Sequence, residues 1–232
     1  YLYKIKNFEA HITKYIGKQK SIKIPEFIDS YPVTRICKAA FDNCKISKVI
    51  FPNSITKIES FAFCNNKLKV VDFPNSVSKI GMYAFKGNFI KKLVIPNSLS
   101  IIEYSCFADN ELTEVTFHNS VKKIQQSAFE NNELCDISLP DSLKEIGKGV
   151  FENNYINEII LKKTVIEKGK IDLLDTTLRI KLNDLQDIDS ITSRFMIFEG
   201  KVNDIQLSTS KLGNPIKIVN IYDNEDGYSL LL

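Results

Sequence analysis

Residues that could support acid–base or nucleophilic catalysis are few and scattered in this 232-residue sequence. Its two histidines, His11 and His118, leave little side-chain chemistry that titrates near neutral pH. The sequence contains no glycine-rich phosphate loop, no H-E-x-x-H pair and no G-x-S-x-G turn. These are motifs that place a phosphate group, a metal or a nucleophile. We therefore expect a non-enzyme without catalytic residues or cofactors.

Cysteines and acidic clusters also lack the spacing of a metal site. The five cysteines form no C-x-x-C pair and do not recur at a regular spacing, which favours free thiols over zinc ligands or a disulfide framework. They are Cys37, Cys44, Cys64, Cys106 and Cys135. The acidic segments at 184–189 and 223–227 lack the alternating ligands of a calcium loop, so we interpret both as solvated turns.

Charge and hydropathy argue against two further classes of protein, nucleic-acid binders and membrane-spanning proteins. The net charge is +3, with an excess of Lys and Arg in residues 1–164 and of Asp and Glu in 165–232. Because the lysines of the first part alternate with acidic residues, we expect no nucleic-acid binding. No apolar run approaches the ~20 residues that cross a bilayer, so we expect no membrane span. The chain starts at Tyr1 rather than Met, so we expect that a preceding segment was removed.

Phenylalanine recurs every 22 residues, at positions 41, 63, 85, 107, 129 and 151. A unit of this length cannot bury its own apolar face, so successive copies must stack into a solenoid with one shared core. Asparagine follows the phenylalanine by three residues in most copies, at 66, 88, 110, 132 and 154. We expect these side chains to hydrogen-bond to the backbone of the neighbouring coil.

In most repeats a proline recurs at the same position, and alternating apolar residues precede it, as Val71 and Phe73 precede Pro74. This pattern predicts one short strand per repeat. Six such strands should form a parallel β ladder. Their outward positions carry no packing role, so they are the candidate binding residues. They are, with two neighbouring lysines, Lys48, Ile50, Lys69, Val70, Asp72, Lys91, Lys92, Val94, Glu114, Thr116, Asp136, Ser138, Glu158 and Ile160. Their charge is basic in the early repeats and acidic in the late ones.

The two ends of the chain differ from the repeats. Residues 1–21 predict a hairpin that caps the core, with Tyr3, Ile5, Phe8, Ile12 and Tyr15 as its apolar side chains. We place the solenoid at 22–164, with a bulged loop at 26–33 in its first coil. Residues 165–232 lose the period but keep short alternating strands, at 178–182, 195–197, 205–207 and 216–218. This pattern indicates either a small all-β module or a cap.

The repeat resembles the BspA-type leucine-rich repeat over about residues 20–164. The segment FPNSVSKIGMYAFKGNFIKKLVIPNSL carries the pattern, and SYPVTRICKAAFDNC is similar to the family's lead-in. This resemblance implies a mainly β leucine-rich-repeat solenoid. It also implies a secreted or surface-displayed bacterial or protist protein used in adhesion.

Three functions follow as hypotheses. The first is a module that binds a protein partner, such as a host or extracellular-matrix protein, through the outward strand positions. The second is a structural spacer within a larger surface protein. The third is an enzyme that uses the C-terminal region. Exposed apolar residues among charges at Ile50, Val70, Val94 and Ile160 favour the first. Oligomeric state has no signal in the sequence.

Overall fold

The computed structural model describes residues 1–156, 159–161, 171–181, 191–200, 220–224 and 227–231, and it is an all-β solenoid over them. The strands are β1 (Leu2–Lys6), β2 (Glu9–Lys14), β3 (Ser21–Lys23), β4 (Phe27–Ile28), β5 (Tyr31–Ile36), β6 (Lys48–Ile50), β7 (Lys57–Ile58), β8 (Lys79–Ile80), β9 (Lys92–Val94), β10 (Ile101–Ile102), β11 (Glu114–Thr116), β12 (Lys123–Ile124), β13 (Glu145–Ile146), β14 (Ile159–Leu161), β15 (Ile171–Lys181), β16 (Ile191–Gly200), β17 (Asn220–Asn224) and β18 (Gly227–Leu231). In this range no helix is long and apolar enough to cross a membrane.

The predicted ladder before the proline positions is present, and we call it the first ladder. Strand β3 pairs in parallel with β6, and β9 pairs with β11, each in register. The prediction of one such strand in every repeat is wrong for two repeats, because residues 70–72 and 136–138 form no strand. Nothing in the structure explains either interruption.

A second ladder, which the sequence did not predict, lies on the opposite wall. It runs through β5, β7 and β8 and again through β10, β12 and β13, in parallel register. Each two-residue strand buries an isoleucine and exposes or half-exposes the residue before it, as Ile58 and Lys57 show. A strand of two residues is too short to show a period, so only the buried isoleucine was apparent from sequence.

The third wall consists of turns that hydrogen-bond from coil to coil. The amides of Ala39, Phe41 and Asn43 donate to carbonyls of the next coil, and equivalent residues repeat this along the stack. The residues two before and two after each core phenylalanine have left-handed backbone, with φ between 45° and 68°. Backbone groups that a buried turn would leave unpaired are therefore satisfied by the neighbouring coil.

The core is the predicted stack of phenylalanines. Five of the six are fully buried and Phe151 is nearly so, and neighbouring rings lie 4.7–5.8 Å apart within 14° of parallel. The repeated asparagines act as predicted. The Nδ2 of Asn110 donates to the Phe85 carbonyl of the preceding coil, while its Oδ1 accepts from the Ile90 amide. Asn66, Asn88, Asn132 and Asn154 make the same pair of contacts.

The N-terminal hairpin is present, but its packing differs from the prediction. Strands β1 and β2 are antiparallel, and β2 joins β5 in the second ladder. Ile12 and Tyr15 are buried, and the Tyr15 ring stacks on Phe41 at 5.3 Å. Tyr3 and Ile5 are exposed, because β1 is the outermost strand of its sheet and packs on no core, and Phe8 is exposed in the turn between β1 and β2.

The loop expected at 26–33 is largely a second hairpin. Strand β4 pairs antiparallel with β5, and Asp29 and Ser30 between them are both left-handed. Two consecutive left-handed residues make the tight turn that matches the twist of paired strands.

The last described strands continue the parallel pairing. The start of β15 pairs with β13 in the second ladder, and its end pairs with β14 in the first. Strand β16 adds in parallel to β15, and β18 and β17 follow as antiparallel strands. The strands expected at Ile205 and Leu207, at Ile216 and Ile218, and the acidic residues Asp184, Asp187 and Asp189 lie outside the described residues.

Candidate functional site

The candidate binding residues that the structure describes lie along the outside of the first ladder, and we call the full set of candidates the strip. Every member within residues 1–156 is exposed. Glu158 lies outside the described residues, and for Ile160 the structure describes the backbone of β14. The interruption of the ladder at Val70–Asp72 leaves its pattern of burial intact, since Val71 is buried between two exposed neighbours.

Strand register arranges the strip in two columns. The pairing of Glu114 with Lys92 and of Thr116 with Val94 defines them. By repeat position, the first column contains Lys48, Val70, Lys92, Glu114 and Asp136. The second contains Ile50, Asp72, Val94, Thr116 and Ser138.

Three exposed apolar side chains therefore alternate between columns over three successive coils. Ile50, Val70 and Val94 are 45%, 62% and 57% exposed. These side chains point away from the core, because the neighbouring residues Val49, Val71 and Leu93 are the buried ones. Each is flanked by a charged residue of its own coil. Exposed apolar area grouped among charges is typical of an interaction surface.

Ion pairs neutralise part of the charge gradient at its midpoint. Lys92 Nζ lies 2.7 Å from Glu114 Oε2, and this hydrogen bond raises the pKa of Lys92. Lys91 Nζ lies 3.7 Å from Glu111 Oε2. Within the described part of the chain, Lys48, Lys69, Asp72 and Asp136 form no ion pair. The unpaired positive charge of the strip therefore lies in the early coils, and Asp136 carries unpaired negative charge in a late one.

Other chemistry-bearing residues are dispersed. Buried His11 has its Nε2 3.4 Å from Glu9 Oε2, and half-buried His118 occupies the predicted proline position. The described residues contain no group of three or more His, Cys, Asp or Glu side chains placed to hold a metal ion. The five cysteines are free thiols, and burial raises the pKa of Cys106 far above its usual range.

The sequence did not point to two groups outside the strip. Phe61, Tyr83 and Tyr104 form an aromatic cluster on the turn wall, and Lys57 and Lys79 are adjacent in the second ladder. The repeated Lys-Ile pair at 57, 79 and 123 was the available signal for the lysines. Phe61 and Tyr83 share one repeat position, but the other coils have Ala, Ser or Gly there, so the sequence showed no repeated aromatic residue.

Two solved structures have a similar fold. A leucine-rich cell surface protein from Faecalibacterium prausnitzii aligns with a TM-score of 0.51 and 19% identity over 82% of this chain and 73% of its own. The pneumococcal vaccine antigen PcpA aligns with a TM-score of 0.55 and 18% identity over 77% of this chain and 64% of its own. At these identities the likeness shows the fold alone.

Among curated proteins, none matches the sequence significantly. The family model for the BspA type leucine-rich repeat region matches six copies, over residues 8–135 and 78–195. These matches include every core phenylalanine and every bridging asparagine described above. The chain belongs to the BspA-type leucine-rich repeat family.

Proposed function

We propose that this chain is a non-catalytic protein-binding module of a secreted or cell-surface protein, and that the strip contacts its partner. A host or extracellular-matrix protein is the partner class that fits. The observation that carries this proposal is the row of exposed apolar side chains, Ile50, Val70 and Val94, on a wall that the coil-to-coil hydrogen bonds hold in place. One of the two structural neighbours is described as a cell surface protein, which supports the location.

The contact chemistry follows from the two columns. Ile50, Val70 and Val94 would lose their exposed area to a partner's apolar side chains, and Lys48, Lys69 and Asp72 would surround them. An apolar centre with a polar rim is the usual composition of such an interface. The unpaired lysines would also speed encounter with an acidic surface and make it sensitive to salt.

A structural spacer is the second candidate, and the ion pairs favour it. Lys92 with Glu114, Lys86 with Asp109 and Lys123 with Glu145 each link adjacent coils. In these pairs the surface charges bind each other across adjacent coils, so they are less available to a partner. A spacer would tolerate any substitution of the strip that leaves the fold intact.

Affinity capture separates the two candidates. The immobilised chain is exposed to extracellular-matrix and cell-surface extracts beside an Ile50→Ser, Val70→Ser, Val94→Ser variant. The control variant, Ile16→Ser, Ile101→Ser, Tyr155→Ser, removes three exposed apolar side chains outside the strip. Proteins retained by the parent and the control but lost from the strip variant support the proposal. An identical set retained by all three chains favours the spacer.

A further inference from the structure

An aromatic cluster lies on the turn wall, away from the strip and from the core. The Phe61 and Tyr83 rings stack at 4.7 Å, and Tyr104 lies 5.4 Å from Tyr83. All three side chains are half-buried. Lys86 Nζ lies 5.8 Å from the centre of the Tyr83 ring and also pairs with Asp109. The cluster is thus a partly open apolar surface with a cation beside it.

Two of these aromatic residues occupy a position that disfavours them. Phe61 and Tyr83 have φ of 61° and 60°, the left-handed region that bulky residues rarely adopt. The same position holds Ala39, Ser105, Ser127 and Gly149 in the other coils. The separate phenylalanine stack already fills the core, so the fold does not require aromatic residues here. Backbone strain of this kind concentrates at functional sites.

Two unpaired lysines lie on the same two coils. Lys57 and Lys79 are both exposed and face each other directly in the parallel pairing of β7 and β8. Like charges placed opposite each other on paired strands are destabilising. Lys123 on the same ladder pairs with Glu145 at 2.5 Å, but Lys57 and Lys79 have no ion pair among the described residues.

The lysines and the aromatic cluster are close enough for one ligand. Lys57 precedes Phe61 by four residues and Lys79 precedes Tyr83 by four, so each pair lies within ~14 Å even in extended chain. Gly81 lies between Lys79 and Tyr83, and a Cβ there would meet the Ser60 backbone nitrogen at 2.5 Å. Glu59, which lies between Lys57 and Phe61 in the sequence, is held by Arg35 at 2.9 Å, and Glu103 directly precedes Tyr104.

We propose that this aromatic–lysine patch, formed by Lys57, Phe61, Lys79, Tyr83 and Tyr104, binds an acidic peptide segment of a protein partner. Carboxylates of the segment pair with the two lysines, and an aromatic side chain of the segment packs on the ring cluster. A long polyanion fits less well, because the basic row is short. Arg35 precedes Lys57 in register but is paired with Glu59, and Ile101 occupies the repeat position after Lys79. The site is separate from the strip and does not depend on it.

The test uses two immobilised acidic polymers, polyglutamate and a random copolymer of glutamate and tyrosine. The parent chain should bind the copolymer more tightly than polyglutamate. The Lys57→Gln, Lys79→Gln variant should weaken binding of both polymers about tenfold. The Phe61→Asn, Tyr83→Asn variant should bind the copolymer no better than polyglutamate. Asparagine tolerates left-handed backbone, so this variant should fold, and a Phe61→Gly, Tyr83→Gly variant provides a second version.

The matched controls are exposed lysines that directly precede strands of the same ladder in later coils, and residues at the same turn position. The first control variant, Lys122→Gln with Lys144→Gln, removes two lysines from later coils. The second, Ser105→Asn with Ser127→Asn, introduces asparagine in later coils at the repeat position of Phe61 and Tyr83. Both control variants should bind like the parent. Equal weakening by the two lysine variants would overturn the proposal, as would unchanged binding of the copolymer by the Asn variant. Tighter binding of heparin than of the copolymer would also overturn it, in favour of a sulfated polysaccharide.

Discussion

At the scale of single residues, the core phenylalanines stack on one another through the centre of the solenoid. Phe107 is fully buried, with Phe85 and Phe129 each 5.8 Å away on either side. Phe107→Ala should therefore lower the free energy of unfolding by ~3–5 kcal/mol, measured by urea denaturation. Phe89→Ala, at a side chain that is 41% exposed, is the control and should cost less. Equal costs for the two variants would contradict the packing described here.

The bridging asparagines make a second prediction at this scale. Asn110→Ala removes the acceptor of the buried Ile90 amide and the donor to the Phe85 and Phe107 carbonyls. Each buried group left unpaired costs ~1–3 kcal/mol, so we expect a loss of about 2 kcal/mol or more by the same measurement. Asn75→Ala, at an exposed asparagine of the proline corner, should change stability little. A small effect at Asn110 would show that water replaces the side chain.

Thiol reactivity provides a third residue-level prediction. Burial raises the pKa of Cys106, so its reactive thiolate should be absent from the folded protein. Cys135 is exposed. With a thiol-specific reagent followed by peptide mass spectrometry, Cys135 should be labelled under native conditions and Cys106 only after unfolding. Native labelling of Cys106 would mean that the Phe107 coil opens or is packed differently.

At the scale of elements, the contacts between adjacent coils include one that depends on pH. Burial raises the pKa of Glu59, but hydrogen bonds from Arg35 and from the Lys38 amide outweigh burial and lower it. A carboxyl whose pKa is lower in the folded protein stabilises it above the ordinary pKa, and that contribution is lost as pH falls through the folded value. Glu59→Gln should therefore reduce the fall in melting temperature on acidification. The control Glu133→Gln removes an exposed charge and should leave the acid dependence as it is in the parent.

The elements also show how far sequence reasoning reaches. The phenylalanine stack and the asparagine bridges were predictable, because a 22-residue repeat of one buried residue type leaves few packing alternatives. The second ladder was not predictable, since β7, β8, β10, β12 and β13 have two residues each and show no alternation. The hairpin at Phe27–Ile36 was missed because Asp29 and Ser30 form its turn without glycine.

The strip was predictable in position but not in electrostatics. Alternation around Val49, Leu93 and Val115 identifies which side chains point outward, and all such residues within 1–156 are exposed. The pairing of Lys92 with Glu114 depends on side-chain conformations across neighbouring coils, which residue types alone do not specify. The aromatic–lysine patch was missed for a related reason, as it depends on backbone conformation at Phe61 and Tyr83.

At the scale of the whole molecule, stacking coils produces several outward walls that carry different side chains. The first ladder presents the strip and the second presents Lys57 and Lys79, while the core phenylalanines lie between the walls. A solenoid of this kind holds its outward side chains on a scaffold that changes little when they are substituted. We expect each surface to respond to its own substitutions and not to those of the other.

Lysine footprinting tests the central claim most directly. The chain is acetylated briefly, free and when bound to a surface coated with extracellular matrix, and the modification of each lysine is measured by mass spectrometry. Binding through the strip predicts protection of Lys48 and Lys69, with Lys144 and Lys148, which lie outside the strip, unchanged. Uniform reactivity in the two states, or protection confined to lysines outside the strip, would contradict the proposed function.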